Sequence, residues 1–408
     1  MLKISLAEDP KALRIADWLK THAPKGVTAI SVEALVLKAR KLQGLVDRTA
    51  FPPGTIFSKL PQVAQSELLH QLQGLNTVIQ AADDSAKSST MQEGNPAIAK
   101  SIDAIDTSIA SVCKAVETPL LLDPQFSDRD GLDHADGDDG VAAVGAEDAF
   151  SLRRHLLGVS AIPEGLRIPR NLLDISTYNS ERRFRSGTLR DRVILVESYP
   201  YQSWEGDDKD DNRVQFEVGG TAANEIERMA AQLCQPKKEA FHILPCAGYI
   251  NEPVHETFGY VFETPSNYTT NAKPTLLRQL YGMERIIPLG DRFMLSYELI
   301  VALENFHRVG WVHKNFTSHN IVFFPPHPLS ASPQASRPVD SKGDYLASPW
   351  IFGFDTSRPE DADSHLREDH SLSNNIYQHP SRWGKPRLKF VKSHDVYSLV
   401  SSHPLLGG

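Results

Sequence analysis

One apolar stripe constrains this chain more than any other feature. Isoleucine or valine recurs every three or four residues between positions 98 and 116, at Ile98, Ile102, Ile105, Ile109, Val112 and Val116. This spacing places the side chains along one side of an α-helix, which must be buried against another element. Asn95 suits the N-cap and Pro96 the first helical position. We expect a helix that packs within a bundle, although the same stripe also suits partner binding or self-association.

Two further stripes precede this one at helical spacing. They comprise Leu35, Ala39, Leu42 and Val46, and then Leu68, Leu72, Leu75 and Ile79. Because three such faces can bury one another, the sequence predicts an α-helical bundle domain over residues 1–122.

An acidic, glycine-rich stretch follows the helical region. Nine acids and one Arg lie between Asp123 and Asp148, which accounts for the whole net charge of −8. Large apolar residues are scarce there, so we expect a solvated, flexible linker over residues 123–150.

The same stretch partly matches a calcium-binding loop. Asp136, Asp138 and Glu147 fall at positions 1, 3 and 12, but Gly140 stands at position 5 and Val141 at position 6, where the turn needs Gly. The mismatch favours a linker over a calcium site.

Composition limits the partners and the compartment. Outside the acidic stretch the chain is nearly neutral, so it has no basic field for nucleic acid or an anionic membrane surface. The three cysteines lack metal-ligand spacing and cannot form a paired disulfide framework. No apolar run reaches 18 residues, and no signal peptide is recognised at the N-terminus. These features favour a soluble cytoplasmic protein without an integral membrane segment.

The character of the sequence changes beyond residue 150. Short β-like runs at 193–197 and 258–262 are followed by a long helical pattern after Gly290. Strands first and helices later predict an α+β fold over residues 151–408. A Pro- and Ser-rich stretch at 325–349 predicts an exposed loop.

The segment from Leu303 to Phe323 carries a specific resemblance. It reads as a helix ending in Asn-Phe-His, a Gly turn, Trp-Val-His-Lys-Asn and then Asn-Ile-Val-Phe. This order resembles the catalytic segment of protein kinases, where H-R-D-x-x-x-x-N precedes a strand. Other kinase landmarks follow in order, namely Gly-Phe-Asp at 353–355 for the metal-binding D-F-G, His379-Pro380-Ser381 for A-P-E, and Asp395-Val396-Tyr397-Ser398-Leu399 for the start of a buried helix.

The upstream sequence continues the resemblance. Residues 193–197 resemble the strand that carries the nucleotide-pairing Lys, residues 224–233 resemble the following helix, and residues 242–249 resemble the strand after that helix. Residues 258–265 are similar to the last strand and hinge, which would place Glu263 beside a nucleotide. The resemblance thus implies a bilobal kinase-like domain, with an N-lobe at about 165–268 and an incomplete C-lobe at about 269–408.

Four positions depart from the kinase pattern. Asn315 stands at the catalytic Asp and cannot act as a base at neutral pH. Gly353 stands at the metal-binding Asp, Glu197 stands at the nucleotide-pairing Lys, and Gly187 is the only glycine between residues 181 and 191, where a phosphate loop is expected. The domain is therefore expected to be a pseudokinase, with ATP and Mg²⁺ binding left open.

Some functional positions persist. Asn320 keeps a metal-ligand position, and Asp355 would be a displaced second ligand. His313 is expected to support the loop, and Asp395 to anchor it. Lys314 replaces the Arg that can pair with a phosphorylated activation loop.

The chain ends soon after the Asp395 motif, at Gly408, where kinases continue for several helices. Either the lobe is truncated or another subunit completes it. We therefore expect the apolar face of the helix after Gly290 to be uncovered.

The motif wording is similar to fungal kinase-like proteins that follow a helical HeLo-type prion-inhibition domain. This resemblance implies an inactive kinase-like module that acts by protein contacts in fungal signalling, self/non-self recognition or heterokaryon incompatibility. Two alternatives remain, an active atypical Ser/Thr kinase and a truncated fragment without function.

Overall fold

The structure is a computed structural model of the 408-residue chain. The residues that it describes are 10–22, 29–43, 57, 60–87, 96–122, 132, 141, 144–158, 160–175, 183–200, 221–265, 274–281, 287–324, 348–360, 376–383 and 388–402. The chain forms two compact units, residues 1–150 and residues 151–408.

The first unit is helical, as its apolar periodicity predicts. Its helices are α1 (Pro10–His22), α2 (Ala29–Gln43), α3 (Gln62–Lys87) and α4 (Pro96–Leu122), and α5 (Glu147–Leu156) begins at its end. Within the described ranges, none of the helices is both long and apolar enough to cross a membrane.

The predicted stripes supply the core of this unit. Four leucine and isoleucine positions of α3 are buried, as are Ile105, Ile109, Val112 and Val116 of α4, and α3 packs along α4. In α2 the buried side is Val32, Val36, Ala39 and Leu42, so Leu35 lies at its margin and is only half-buried. Helix α4 begins at Pro96 as predicted, whereas Asn95 and Val46 lie outside the described residues.

The acidic stretch is not wholly solvated. Leu132, Val141 and Val144 are buried, and the last residues of the stretch form the first turn of α5. The prediction of a solvated linker is therefore wrong at these positions. The few apolar side chains are buried even though the sequence around them is acidic. Asp136 and Asp138, and most of the Pro- and Ser-rich stretch at 325–349, lie outside the described residues.

The second unit combines sheet and helix. Its strands are β1 (Leu173–Ile175), β2 (Phe184–Leu189), β3 (Arg192–Pro200), β4 (Cys246–Glu252), β5 (Thr257–Glu263), β6 (Thr275–Leu276), β7 (Trp311–Val312), β8 (Ile321–Phe323), β9 (Trp350–Ile351) and β10 (Arg358–Pro359). Its helices are α6 (Thr221–Cys234), α7 (Leu277–Tyr281), α8 (Leu289–Arg308) and α9 (Lys392–Ser401).

Strands β1 to β5 form an antiparallel sheet in the order β1-β2-β3-β5-β4. Helix α6 follows β3 in the chain and packs against β4. Because successive strand residues point to opposite faces, Ile194 and Val196 join one apolar cluster, whereas Leu195 and Glu197 face the other side. This alternation places the carboxylate of Glu197 on the face where β5 presents Tyr260 opposite it.

Gly187 lies within β2 rather than in a loop. A side chain there would overlap the backbone of Asp174 and the Ile175 side chain in β1, so glycine is needed for the two strands to approach. The sequence lacks a glycine-rich phosphate loop over residues 181–191, and residues 184–189 of that stretch form strand β2. Residues 181–182 of that region lie outside the described ones.

A buried ion pair joins the strands of this sheet. The guanidinium of Arg185, which is fully buried, donates to both carboxylate oxygens of Glu252, and its Nη1–Oε1 distance is 3.1 Å. It also donates to the hydroxyl of Ser198 at 3.1 Å and 3.3 Å. Through these bonds Arg185 links β2 to both β3 and β4. Each charge is too poorly solvated to be tolerated without the other.

We predict that Glu252→Gln lowers the free energy of unfolding by about 3 to 5 kcal/mol, because it removes the carboxylate charge that pairs with the buried Arg185 cation. The exposed pair of Arg192 and Glu263 supplies the control, and Glu263→Gln is expected to cost less than about 1 kcal/mol. Urea unfolding of both variants and the parent measures the difference. Equal losses in the two variants would contradict a structural role for the buried pair.

Candidate functional site

The loop that carries the predicted motif residues runs from His313 to Asn320, between β7 and β8. Asp395 of α9, which is fully buried, accepts hydrogen bonds from the backbone N–H groups of His313 at 2.9 Å and Lys314 at 2.8 Å. The Asn320 amide donates to the carbonyl oxygen of Asn315 at 2.6 Å and closes the loop. Lys314 itself adopts a left-handed backbone conformation with φ of 67°. The loop is therefore fixed at its beginning by α9 and at its end by Asn320.

His313 is packed inside the unit. Its ring meets the aromatic rings of Phe306, Phe316 and Phe354 edge-on. Its Nδ1 atom accepts a hydrogen bond from the backbone N–H of Asn315 at 3.3 Å. Burial lowers the pKa of His313 to about 4, so the ring is neutral at pH 7. This side chain is placed for packing and loop support.

Glu197 lies at the centre of the site, where β3 faces the segment around Gly353. Its side chain has no exposure to solvent. Its carboxylate pairs with the guanidinium of Arg183, with an Nε–Oε1 distance of 2.8 Å. It also accepts the backbone N–H of Gly353, at 3.1 Å to Oε1 and 3.4 Å to Oε2. A buried anion thus holds β3 to the segment around Gly353.

Arg183 is the functional residue that the sequence reasoning missed. Besides pairing with Glu197, its Nη1 donates to the carbonyl oxygen of His319 at 3.0 Å. Burial by itself would lower the pKa of Arg183, but Glu197, Tyr199 and Asp355 together raise that pKa above its usual value, so the guanidinium stays charged. The sequence does indicate such a partner. An acid at the end of the apolar run Val193 to Glu197 is expected to be buried, and a buried carboxylate needs a cationic partner.

Gly353 is shaped by this contact. Its backbone is left-handed, with φ of 86°, and a Cβ atom built there would lie 2.5 to 2.7 Å from the side-chain amide atoms of Asn320. The next N–H, of Phe354, donates to the hydroxyl of Tyr199 at 3.2 Å. The metal-binding Asp of kinases has no room here unless Asn320 moves.

Asp355 lies two residues beyond Gly353, in a short 3₁₀ turn over residues 354–356. Its Oδ1 atom is closed off from solvent and has no hydrogen-bond partner among the described residues. Burial raises the pKa of Asp355 to about 6, and the negative charge of Glu197 adds to the rise, while Arg183 opposes it. A carboxyl group in this state is a poor ligand for a hard cation such as Mg²⁺.

Lys314 lies in a positively charged environment. Burial and, to a smaller extent, the neighbouring cations Arg358 and Arg382 together lower the pKa of Lys314 to about 8. Arg358 already donates to the carbonyl oxygens of Pro359, Glu360 and Phe390. These donors are engaged in holding the backbone.

The remaining predicted positions lie elsewhere. Glu263, at the end of β5, forms an exposed ion pair with Arg192 at 2.7 Å. His379 precedes a 3₁₀ turn that begins at Pro380, and its Nδ1 accepts the N–H of Ser381 at 3.2 Å. The structure thus brings Glu197 and Arg183 together with Gly353 and Asn320. Glu263 and His379 make their contacts outside this group.

ATP with Mg²⁺ does not fit this arrangement. Glu197 places a buried anion at the position that the sequence resemblance assigns to the phosphate-neutralising Lys of kinases, and Gly353 supplies no ligand oxygen from a side chain. Across the described part of the chain, no three His, Cys, Asp or Glu side chains converge to hold a metal ion. The cation that neutralises the site is the protein's own Arg183.

Comparison of the sequence with protein-family models and with curated proteins gives no significant match. The case for a function therefore rests on the residues and their geometry.

We predict that Gly353→Ala destabilises the protein by about 2 to 4 kcal/mol. The left-handed backbone accounts for roughly 1 kcal/mol, and overlap with Asn320 for the remainder. Gly158→Ala is the matched control, since Gly158 also has a positive φ of 67° but nothing lies within 4 Å of its added Cβ. Thermal unfolding of both variants separates the cost of the left-handed backbone from the cost of the overlap with Asn320. Equal losses of stability would show that the Asn320 side chain moves aside without cost.

We predict that Asp355→Asn stabilises the protein at neutral pH by about 2 to 3 kcal/mol. A raised carboxyl pKa means that the folded state favours the protonated form. Its stability contribution is therefore complete below the unfolded pKa of 3.8 and is lost as pH rises toward about 6. Asn mimics the protonated form at every pH. Denaturant unfolding should show the gain above pH 6 and its disappearance near pH 4, and a gain independent of pH would contradict the assignment.

Proposed function

We propose that residues 151–408 form a protein-kinase-like module that transfers no phosphate and acts through protein contacts. The observation that carries the proposal is the buried Glu197 carboxylate, which is paired with Arg183 and bonded to the N–H of Gly353. These groups bind one another. A kinase would instead have a cation, a metal ligand and open space for ATP at these positions.

The order of elements supports a kinase-like fold. A five-stranded antiparallel sheet carries helix α6 between its third and fourth strands in the chain. The long helix α8 then leads into the loop that begins at His313, and the strands β8 and β9 follow that loop. This succession matches the landmarks that the sequence motifs assign to kinases in the same order.

The electrostatics support inactivity. In active kinases a strand Lys pairs with a helix Glu and with the nucleotide phosphates. Here Glu197 stands at the strand position, and its carboxylate pairs with the guanidinium of Arg183. Asn315 adds a second defect, since its amide cannot accept the proton of a substrate hydroxyl.

The biological setting follows from the sequence resemblance. A helical unit that precedes a kinase-like module is similar to fungal proteins with a HeLo-type prion-inhibition domain. We propose that the two units act together in signalling or self/non-self recognition, where the module binds a protein partner instead of modifying it.

We predict that ATP with Mg²⁺ does not stabilise the full chain. A ligand at 100 times its dissociation constant would add about 2.7 kcal/mol and raise the melting temperature by several degrees. Millimolar ATP with Mg²⁺ should leave the melting temperature unchanged. Radiolabelled phosphate transfer to the protein and to a generic substrate should be absent.

The Asn315→Asp variant serves as the second arm. Restoring the base typically contributes 10²- to 10⁴-fold, but the charge around the phosphates stays wrong, so no transfer is expected. Adding Glu197→Lys and Gly353→Asp restores the three side chains that kinases have at these positions, although not the glycine-rich loop. The side chain introduced by Gly353→Asp would, however, overlap Asn320. Mg²⁺-dependent transfer by the parent chain that Asn320→Ala abolishes would overturn the proposal in favour of an active atypical kinase.

A further inference from the structure

Helix α8 leaves a large apolar face exposed. Leu289, Phe293, Met294, Tyr297 and Ile300 are each between 53% and 61% exposed. Four of them, Leu289, Phe293, Tyr297 and Ile300, recur at the three- and four-residue spacing that places them along one side of the helix. The opposite side, which includes Leu295, Leu299 and Phe306, is buried in the unit. Helix α8 is therefore apolar on both sides, which is unusual for a helix that faces water.

The exposed area is sufficient for an interface. Large apolar side chains carry roughly 150 to 250 Å² each, so five at just over half exposure present on the order of 500 Å². Helix α9, which packs against α8, also exposes Val396 and Val400, at 46% and 50%. Two copies of the α8 face together present on the order of 1,000 Å², which reaches the lower limit of a specific interface, and one face alone lies at the upper end of the largest apolar patch of a typical monomer.

The face is complementary to itself. Phe293 and Ile300 lie at equal separations in sequence from a point between Ser296 and Tyr297, as do Leu289 and Glu304, so Tyr297 lies beside the centre of the apolar stripe. In an antiparallel pair of α8 helices, Phe293 of each copy would therefore meet Ile300 of the other. Such a twofold arrangement buries the same face of both copies and leaves no open edge.

The charges favour the same arrangement. Glu304 is exposed and marks the C-terminal end of the apolar stripe. At the other end, α8 begins after Pro288, whose side chain makes no capping hydrogen bond, and Asp291 and Arg292 follow in the first turn. An antiparallel copy brings Glu304 to this positive helix terminus and toward Arg292, where an anion is favourable. The same face of α8 thus supplies both partners of the apolar contact between Phe293 and Ile300 and of the contact between Glu304 and the helix N-terminus.

We propose that this face of α8 is the interface of a homodimer with twofold symmetry, in which Tyr297 of the two copies meets at the axis. A second copy is the occupant that the observations favour, because the area, the apolar spacing and the end charges are all satisfied without a foreign chain. The dimer depends only on α8 and α9, so it stands whether or not the neighbouring site binds a nucleotide.

The first test is sedimentation equilibrium of the full chain from about 1 to 100 μM, with parent and variants. The parent should dimerise, and Tyr297→Arg should weaken association at least tenfold, because it places two like charges together at the axis. Val254→Arg is the matched control, since Val254 is 90% exposed and lies outside α8 and α9, and it should leave the dimer unchanged. A monomeric parent, or equal effects of the two variants, would overturn the proposal.

The second test uses charge reversal and crosslinking. Glu304→Arg should weaken the dimer, and adding Arg292→Glu should restore it, because the pair is exchanged between copies. Tyr297→Cys should form an intermolecular disulfide under mild oxidation, with the parent as the control for its three native cysteines. This readout needs no charged substitution, so it remains decisive if Tyr297→Arg does not fold. Absence of that disulfide, or no recovery in the double variant, would exclude the antiparallel geometry.

Discussion

A carboxylate buried in a β-sheet requires a positive partner, and the candidate site is organised around this requirement. Glu197 has Arg183 as its cation and the N–H of Gly353 as a further donor. Removal of either partner would leave a desolvated charge, which is among the costliest defects in a protein interior. The geometry of the strand, the turn at Gly353 and the nearby loop therefore depend on one another, and the site is closed by its own charges.

This closure changes what each motif residue does. In the kinases that the sequence motifs resemble, the groups at these positions leave space for ATP and contribute charge to it. Here Asn320 closes the loop through the carbonyl oxygen of Asn315, and Asp355 is held in an environment that favours its protonated form. The buried Asp395 holds two loop N–H groups. The contacts position the loop, and the surface outside it, including the exposed side of α8, becomes the region available to partners.

Much of the fold is readable from local spacing. The stripes that end in Ile79 and Val116 predict α3 and α4, because a 3.6-residue period reports burial on one side of a helix. The strand around Glu197 and the helix after Gly290 are also visible in sequence. The acidic stretch was misjudged, since Leu132 and Val141 are too sparse to register as a pattern and yet are buried.

The sequence by itself determined which side chains are missing, because Asn315 and Gly353 lack a carboxylate in any conformation. Only the tertiary structure decided what replaces them. Arg183 reaches Glu197 across the β2–β3 pairing, and the Gly353 turn meets Asn320 from a distant part of the chain. Neither contact follows a local period, because both depend on the register of strands and the packing of loops brought together by folding.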